Sequence, residues 1–173
     1  MVVVVMGVTG SGKTTIGSTL ASRLGWEFAD ADDFHSPANK EKIRHGIALT
    51  DADREPWLAT LSKQISQWIA ARKNVVLACS ALKQMYRQQL EVGAEVKFVY
   101  LKGTYEVIAE RLTHRKGHFA DEHILASQFA TLEEPSDAIV VDIHPSPDVI
   151  VSEICRKLGL SPVPAAARKS PKF

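Results

Sequence analysis

Continuous apolar runs recur along this chain, and between them apolar residues return every three to four positions. The runs fall at 2–6, 26–29, 75–79, 96–101 and 139–143. Apolar character with so little alternation predicts strands buried on both faces, as in a parallel sheet covered by helices. The helical patterns fall at 15–24, 39–45, 56–71, 83–92, 104–116, 121–132 and 147–158. The clearest is 56–71, where Trp57, Leu58, Leu61, Ile65, Trp68 and Ile69 form one stripe at close to helical spacing. Asp53 is the expected cap of that helix, with Pro56 in its first turn. Thr104 is the expected cap of 104–116, and Gly46, Gly93 and Gly159 are the expected stops. Alternation of strand and helix throughout predicts an α/β fold, a three-layer α/β/α sandwich on a parallel sheet of about five strands. Ligands of such sheets sit at the carboxyl ends of the strands, so the residues that follow each strand are the candidates for chemistry.

Length and composition narrow the classes. The 173 residues fit one domain with a full hydrophobic core, here taken as 1–160. The Pro/Ala-rich basic stretch 161–173 reads as a tail outside the fold. A net charge of +1 gives no surplus that points to nucleic acid or to an anionic membrane. Cys79 and Cys155 are too few for a disulfide framework and form no C-x-x-C pair, so buried thiols in a reducing compartment are expected. The run 2–5 is far shorter than a signal-peptide core, and no apolar stretch approaches the roughly 18 residues of a membrane span. The expected location is the cytoplasm.

The first strand runs directly into Gly7-Val8-Thr9-Gly10-Ser11-Gly12-Lys13-Thr14, followed by Thr15 and a helical pattern. This matches G-x-x-x-x-G-K-[ST] at every position, in the strand–loop–helix context that gives the pattern its meaning. Glycines let the backbone curl with its N–H groups inward, and the helix N-terminus adds partial positive charge where a phosphate would sit. Lys13 can reach the β- and γ-phosphates of ATP, and the Thr14 hydroxyl can ligate Mg²⁺.

The other strand ends supply an opposite wall. Asp30, Asp32 and Asp33 follow the second strand, with His35 close behind. One carboxylate can hold Mg²⁺ through its water shell, and another can take the proton of an attacking hydroxyl. Strand-end position favours Asp30 and Asp32 for these roles and leaves Asp33 as a structural residue. Arg54 sits near the start of a helix, where positive charge is disfavoured by the helix dipole, and its planar fork suits a carboxylate or phosphate. After the third strand, Ser80 and Ala81 are small enough for a substrate to approach the backbone, and Lys83 and Arg87 lie one helical turn apart. The segment 111–119 carries Arg111, Arg115 and Lys116 with His114 and His118, which suits a lid, taken as about 114–135, closing over a triphosphate. The two histidines lack a third ligand nearby, which argues against a metal pair. A guanine-nucleotide switch would need N-K-x-D, and Asn39-Lys40-Glu41-Lys42 ends in Lys.

Together these residues resemble the P-loop gluconokinases, relatives of the shikimate and nucleoside-monophosphate kinases. The likeness runs from Met6 to about Leu158. It is carried by the phosphate loop, Asp30-Ala31-Asp32 with His35, Asp51-Ala52-Asp53-Arg54-Glu55-Pro56-Trp57-Leu58, Cys79-Ser80-Ala81-Leu82-Lys83 with Tyr86-Arg87, Arg115-Lys116-Gly117-His118-Phe119, and 127–135. The resemblance implies ATP-dependent phosphorylation of D-gluconate at its 6-hydroxyl, a lid, and a homodimer. It implies that Lys13 and Asp32 act in catalysis, with Asp32 at the hydroxyl, and that Asp30 helps Thr14 hold Mg²⁺. Arg54 and Arg87 would bind gluconate with His35, Ser80 and Lys83, Arg111 would pack on adenine, and Arg115 would reach the phosphates. A kinase for another small anion such as shikimate is the alternative. Ser36 stands between His35 and Pro37 where the family usually has His-Pro in succession, and Ala120 follows Phe119 where a larger residue is common.

Overall fold

In the computed structural model the described residues are 1–113 and 118–164, the side chains of 118–122 excepted. The elements are β1 (Val2–Met6), α1 (Lys13–Leu24), β2 (Glu27–Asp30), α2 (Pro37–Arg44), α3 (Asp51–Ala70), β3 (Val75–Ala78), α4 (Gln84–Leu90), β4 (Val96–Lys102), α5 (Tyr105–Thr113), α6 (His118–Thr131), β5 (Ile139–Asp142) and α7 (Pro147–Leu158). A 3-10 turn, Ala31–Phe34, joins β2 to α2. All four strand pairings are parallel, and the order across the sheet is β2-β3-β1-β4-β5.

The central strand explains the layering. Every residue of β1 is fully buried. Side chains alternate across a strand, so Val3 and Val5 enter one core with α1, α5 and α7, and Val2, Val4 and Met6 enter the other with α3 and α4. The stripe read from 56–71 is the face of α3 that fills the second core, with Trp57, Leu58, Leu61 and Ile65 each at most 3% exposed. The α/β sandwich expected from the alternation is therefore the fold that forms.

Several boundaries differ from the sequence expectation. Helix α3 begins at Asp51, and its cap is Thr50. Thr50 Oγ1 accepts from the Asp53 N–H (3.2 Å), and the Asp53 carboxylate accepts from the Thr50 N–H (3.0 Å). This reciprocal box satisfies two end donors at once, and it leaves Pro56 in the second turn instead of the first. Asp53 also binds Lys42 of α2 at 2.7 Å, which holds its carboxyl well below the usual range, at about 2. Ser36 caps α2 by accepting from Asn39 N–H (3.2 Å), so the residue that departs from the family pattern starts the helix, with Pro37 in its first turn. Helix α4 ends at Leu90, short of Gly93, and α6 begins at His118, ahead of 121. Strand β2 is shifted one residue, so Asp30 is its last member. Val163 N–H donates to Arg23 O (2.9 Å), which holds residue 163 at the last turn of α1.

Gly103 follows β4 where a Cβ would lie 2.3 Å from Ile143 Cδ1 and 2.8 Å from its Cγ1. Ile143 is fully buried and cannot swing into solvent. Gly103→Ala is expected to lower stability by about 1–3 kcal/mol, the usual cost of overpacking, read as a shift in the chemical denaturation midpoint at unchanged slope.

Candidate active site

Residues 7–14 wrap the carboxyl end of β1. Gly10 and Gly12 adopt φ of 77° and 97°, a region open to glycine at little cost. A Cβ on Gly10 would also stand 2.9 Å from Ile108 and Leu112, so α5 is packed directly beneath the loop. Lys13 Nζ reaches back across the turn to Val8 O (2.9 Å). Thr14 Oγ1 donates to Asp30 Oδ2 (3.0 Å), and Asp30 Oδ1 accepts from the Asp32 N–H (3.1 Å). One carboxylate therefore ties the loop to the end of β2.

Three adjoining cavities open along the strand ends. The first, about 310 Å³, is lined by Gly10, Ser11, Gly12, Thr15, Arg111, Ile143 and Pro145 among others. Arg111 Nη2 donates to Ile143 O (2.6 Å), which lays the guanidinium along one wall. The second, about 180 Å³, is lined by Thr9, Gly10, Gly12, Lys13, Thr14, Thr15, Asp30 and Asp32. The third, about 250 Å³, takes Thr9, Lys13 and Asp32 as its near wall and His35, Leu49, Arg54, Ser80 and Gln128 as its far side. Gly10, Gly12 and Thr15 are common to the first two cavities, and Thr9, Lys13 and Asp32 to the last two. The result is one trough with an apolar-and-arginine end, a phosphate-sized middle and a polar acceptor end.

The charges along the trough are set by their surroundings. About 77% of the Asp32 side chain is reachable by water, yet the residue is crowded by the walls of the second and third cavities. That crowding comes first, and the neighbouring Asp30 charge second, among the causes that raise its pKa, against the opposing pull of Lys13. His35 lies with its ring stacked on Trp57, centroids 4.4 Å apart and planes at 15°. Burial, then the positive charges of Arg54 and Lys40, push its pKa down to about 4, so the imidazole is neutral at pH 7. Its Nε2 faces Asp32 Oδ1 at 3.9 Å, too far for a hydrogen bond, while its Nδ1 is buried with no partner among the described residues. Arg54 Nη1 donates to Leu49 O (2.5 Å) and its guanidinium lies 5.7 Å from the Tyr86 ring centroid, which leaves other donors of the fork for the acceptor cavity.

Of the acceptor-side residues expected from the sequence, Asp32, His35, Arg54 and Ser80 share one cavity. Lys83 and Arg87, expected with them, do not line that cavity and bind other groups. Lys83 Nζ binds the Asp51 carboxylate at 2.7 Å and 2.8 Å, and Tyr86 OH donates to the same group. Arg87 is 7% exposed, and its Nη1 donates to the carbonyls of Ala81 (3.1 Å) and Leu82 (3.0 Å). Ala81 holds φ at 44°, an uncommon conformation for a residue with a Cβ, and the Arg87 fork clamps it. Helical spacing from Lys83 to Arg87 could not distinguish a carbonyl clamp from a ligand donor. Arg115 lies outside the described residues. Reasoning from strand ends missed Ser127, Gln128 and Thr131, which α6 brings to the acceptor cavity; their helical spacing was the available signal. Cys79 is buried and its thiol is pushed up to about 12, chiefly by burial, so it is chemically quiet.

Comparison with known proteins follows the same outline. The family model described as Shikimate kinase matches residues 9–158. The chain is 46% identical over 157 residues to the gluconokinase of Gluconobacter oxydans, covering 88% of each chain. It is 43% identical over 157 residues to the thermoresistant gluconokinase of Escherichia coli, covering 87% of this chain and 90% of the relative. The crystal structure of a gluconokinase from Sinorhizobium meliloti superposes with a TM-score of 0.81 at 41% identity, covering 91% of this chain and 90% of that one.

The pKa of His35 also makes it a reporter of folding. Its folded value is about 4 against an ordinary 6.5, so between those values the unfolded chain binds more protons and stability falls as pH drops. Urea midpoints measured from pH 7 to pH 4 should show this loss. In His35→Gln the loss over that window should be smaller by up to roughly 3 kcal/mol; identical curves would mean that His35 is not held neutral.

Proposed function

This chain belongs to the P-loop gluconokinase family, and from that premise we infer that it transfers the γ-phosphoryl group of ATP to the 6-hydroxyl of D-gluconate, giving ADP and 6-phospho-D-gluconate. The observation that carries the reading is the placement of Asp32 and Lys13 on the wall common to the triphosphate and acceptor cavities, with Arg54 across the acceptor cavity. The shikimate alternative has only the family model behind it, whereas identity above 40% over most of the chain goes to gluconokinases.

Phosphoryl transfer asks the protein for positioning and charge stabilisation more than for covalent chemistry. The base lies in the first cavity against Arg111, and the triphosphate threads the loop over the N-terminus of α1. Lys13 neutralises charge on the transferred group, moving from its Val8 carbonyl contact to the phosphates. Arg54 holds the substrate carboxylate at the far end of the acceptor cavity. Ser80 and the neutral imidazole of His35 offer hydrogen bonds to the hydroxyls between. Asp32 orients the attacking 6-hydroxyl and accepts its proton as the new P–O bond forms. Its pKa, raised chiefly by burial and then by Asp30, makes it a stronger proton acceptor than an ordinary aspartate.

Thr14 Oγ1 and Asp30 Oδ2, 3.0 Å apart, form a hard-oxygen pair beside the loop, the donor chemistry that suits Mg²⁺ held mainly by phosphates and water. When bound there, the ion supplies charge neutralisation on the β- and γ-phosphates. By the family resemblance Arg115, which lies outside the described residues, would bind the phosphates; the same reading takes 1–160 as a single kinase domain with a lid of about 114–135. A homodimer in the cytoplasm belongs to the same reading.

ADP release from ATP and Mg²⁺ against gluconate, other aldonates, shikimate and nucleoside monophosphates tests the assignment. Turnover with gluconate is expected to exceed that with shikimate and the nucleotides by at least about 10²-fold, as a site built around several substrate hydroxyls requires. Comparable rates with shikimate would overturn it. Asp32→Asn should lower kcat by at least about 10²-fold with KM for ATP little changed, and a change confined to KM for gluconate would make Asp32 a binding residue only.

A further inference from the structure

Helix α6 presents two faces to the fold. Leu125 is fully buried, and Phe129 packs edge-on against Tyr105 of α5, centroids 5.4 Å apart. On the other face Ile124, Ser127, Gln128 and Thr131, spaced i, i+3, i+4 and i+7, line the acceptor cavity. The first face fixes the helix. The second puts polar side chains on an inward surface that packing alone would fill with apolar ones.

Gln128 stands out on that surface. Its Oε1 accepts from the backbone N–H of Thr9 at 2.6 Å, a contact between residues 119 apart in sequence. Thr9 is part of the phosphate loop and lines both the triphosphate and acceptor cavities. A backbone N–H can only donate, so the amide oxygen must face Thr9 and the Nε2 group must face away from it. A planar amide held at its oxygen has its two Nε2 protons held as well, beside the cavity that the residue lines. A polyhydroxy acceptor offers hydroxyl oxygens there, whereas an apolar one has nothing to receive them.

We propose that Gln128 is an acceptor-binding residue that sets specificity for a hydroxyl-rich acid: the Thr9 N–H locks its amide, and the Nε2 protons donate to substrate hydroxyl oxygens next to the transferred phosphoryl group. The inference rests on the gluconate reading and adds a residue to it. The one amide thereby touches the phosphate loop and borders the acceptor cavity.

Two variants separate the parts of the claim. Gln128→Glu keeps an oxygen for Thr9 N–H but has no donors at pH 7.5, and Gln128→Leu keeps neither. KM for gluconate is expected to rise by about 10-fold or more in both, the worth of one to two lost hydrogen bonds, with KM for ATP in Gln128→Leu and the melting temperatures of both little changed. Hexanoate, which carries a carboxylate but no hydroxyls, should inhibit wild type and Gln128→Leu with Ki values within about twofold of each other, because it has nothing for the amide to donate to. A gluconate KM that stays at the wild-type value in both variants, or a hexanoate Ki that rises in parallel with it, would overturn the proposal and leave Gln128 a structural tie to Thr9. A wild-type chain inert towards gluconate would overturn the functional reading and this inference together, whereas an active wild type with unmoved variants overturns the inference alone.

Discussion

The site depends on a register. Val5, Ala78 and Asp30 lie abreast across β1, β3 and β2. Parallel strands whose ends are level deliver their following residues to the same edge of the sheet, so the loop after β1 and the carboxylates after β2 meet without any long excursion of chain. The hydrogen bond from Thr14 to Asp30 is the local result. It fixes the first residues of α1 against the end of β2, and the neighbouring Asp32 lines the cavity shared with Arg54 and Ser80. A slip of one residue in β2 would turn Asp30 to the opposite face and remove that tie.

Around that edge, the same residue types take structural or chemical roles according to what they reach. Arg54 and Arg87 are both partly or fully enclosed arginines near the acceptor end. Arg87 spends its Nη1 on the carbonyls of a strained turn at Ala81. Arg54 meets one carbonyl and still borders the cavity. Lys83 and Asp51 neutralise one another, with Tyr86 as a third partner, and that group braces α3 against α4. His35 is held neutral by burial and by the cations around it, so it adds a hydrogen-bonding ring to the acceptor cavity without adding to the positive charge already supplied by Arg54.

Much of this architecture was legible beforehand. Five apolar runs gave five strands, and the stripe of Trp57, Leu58, Leu61 and Ile65 gave the face of α3 that fills one core. The phosphate-loop pattern and the strand-end rule pointed to Gly10, Gly12, Lys13, Thr14, Asp30, Asp32 and Ser80, which line adjoining cavities. Boundaries were less legible, because local chemistry competes at every helix start. A capping box at Thr50 and Asp53 satisfies two donors and so outranks the preference of Pro56 for a first turn. Helix α6 was legible as a helix, but strand-end reasoning did not reach its polar stripe.

By itself, then, the sequence determined the strand–helix alternation, the loop that cradles phosphate and the supply of cations and carboxylates around it, because each depends on local periodicity or on a contiguous motif. Only the tertiary structure decided which of those charged groups face the trough. Lys83 and Arg87 turned to Asp51 and to the 81–82 carbonyls, while Gln128 arrived from 119 residues away to meet the Thr9 N–H. Spacing along one helix says which side chains share a face. What that face meets is set by packing between elements distant in the chain, where each buried donor and acceptor must find a partner.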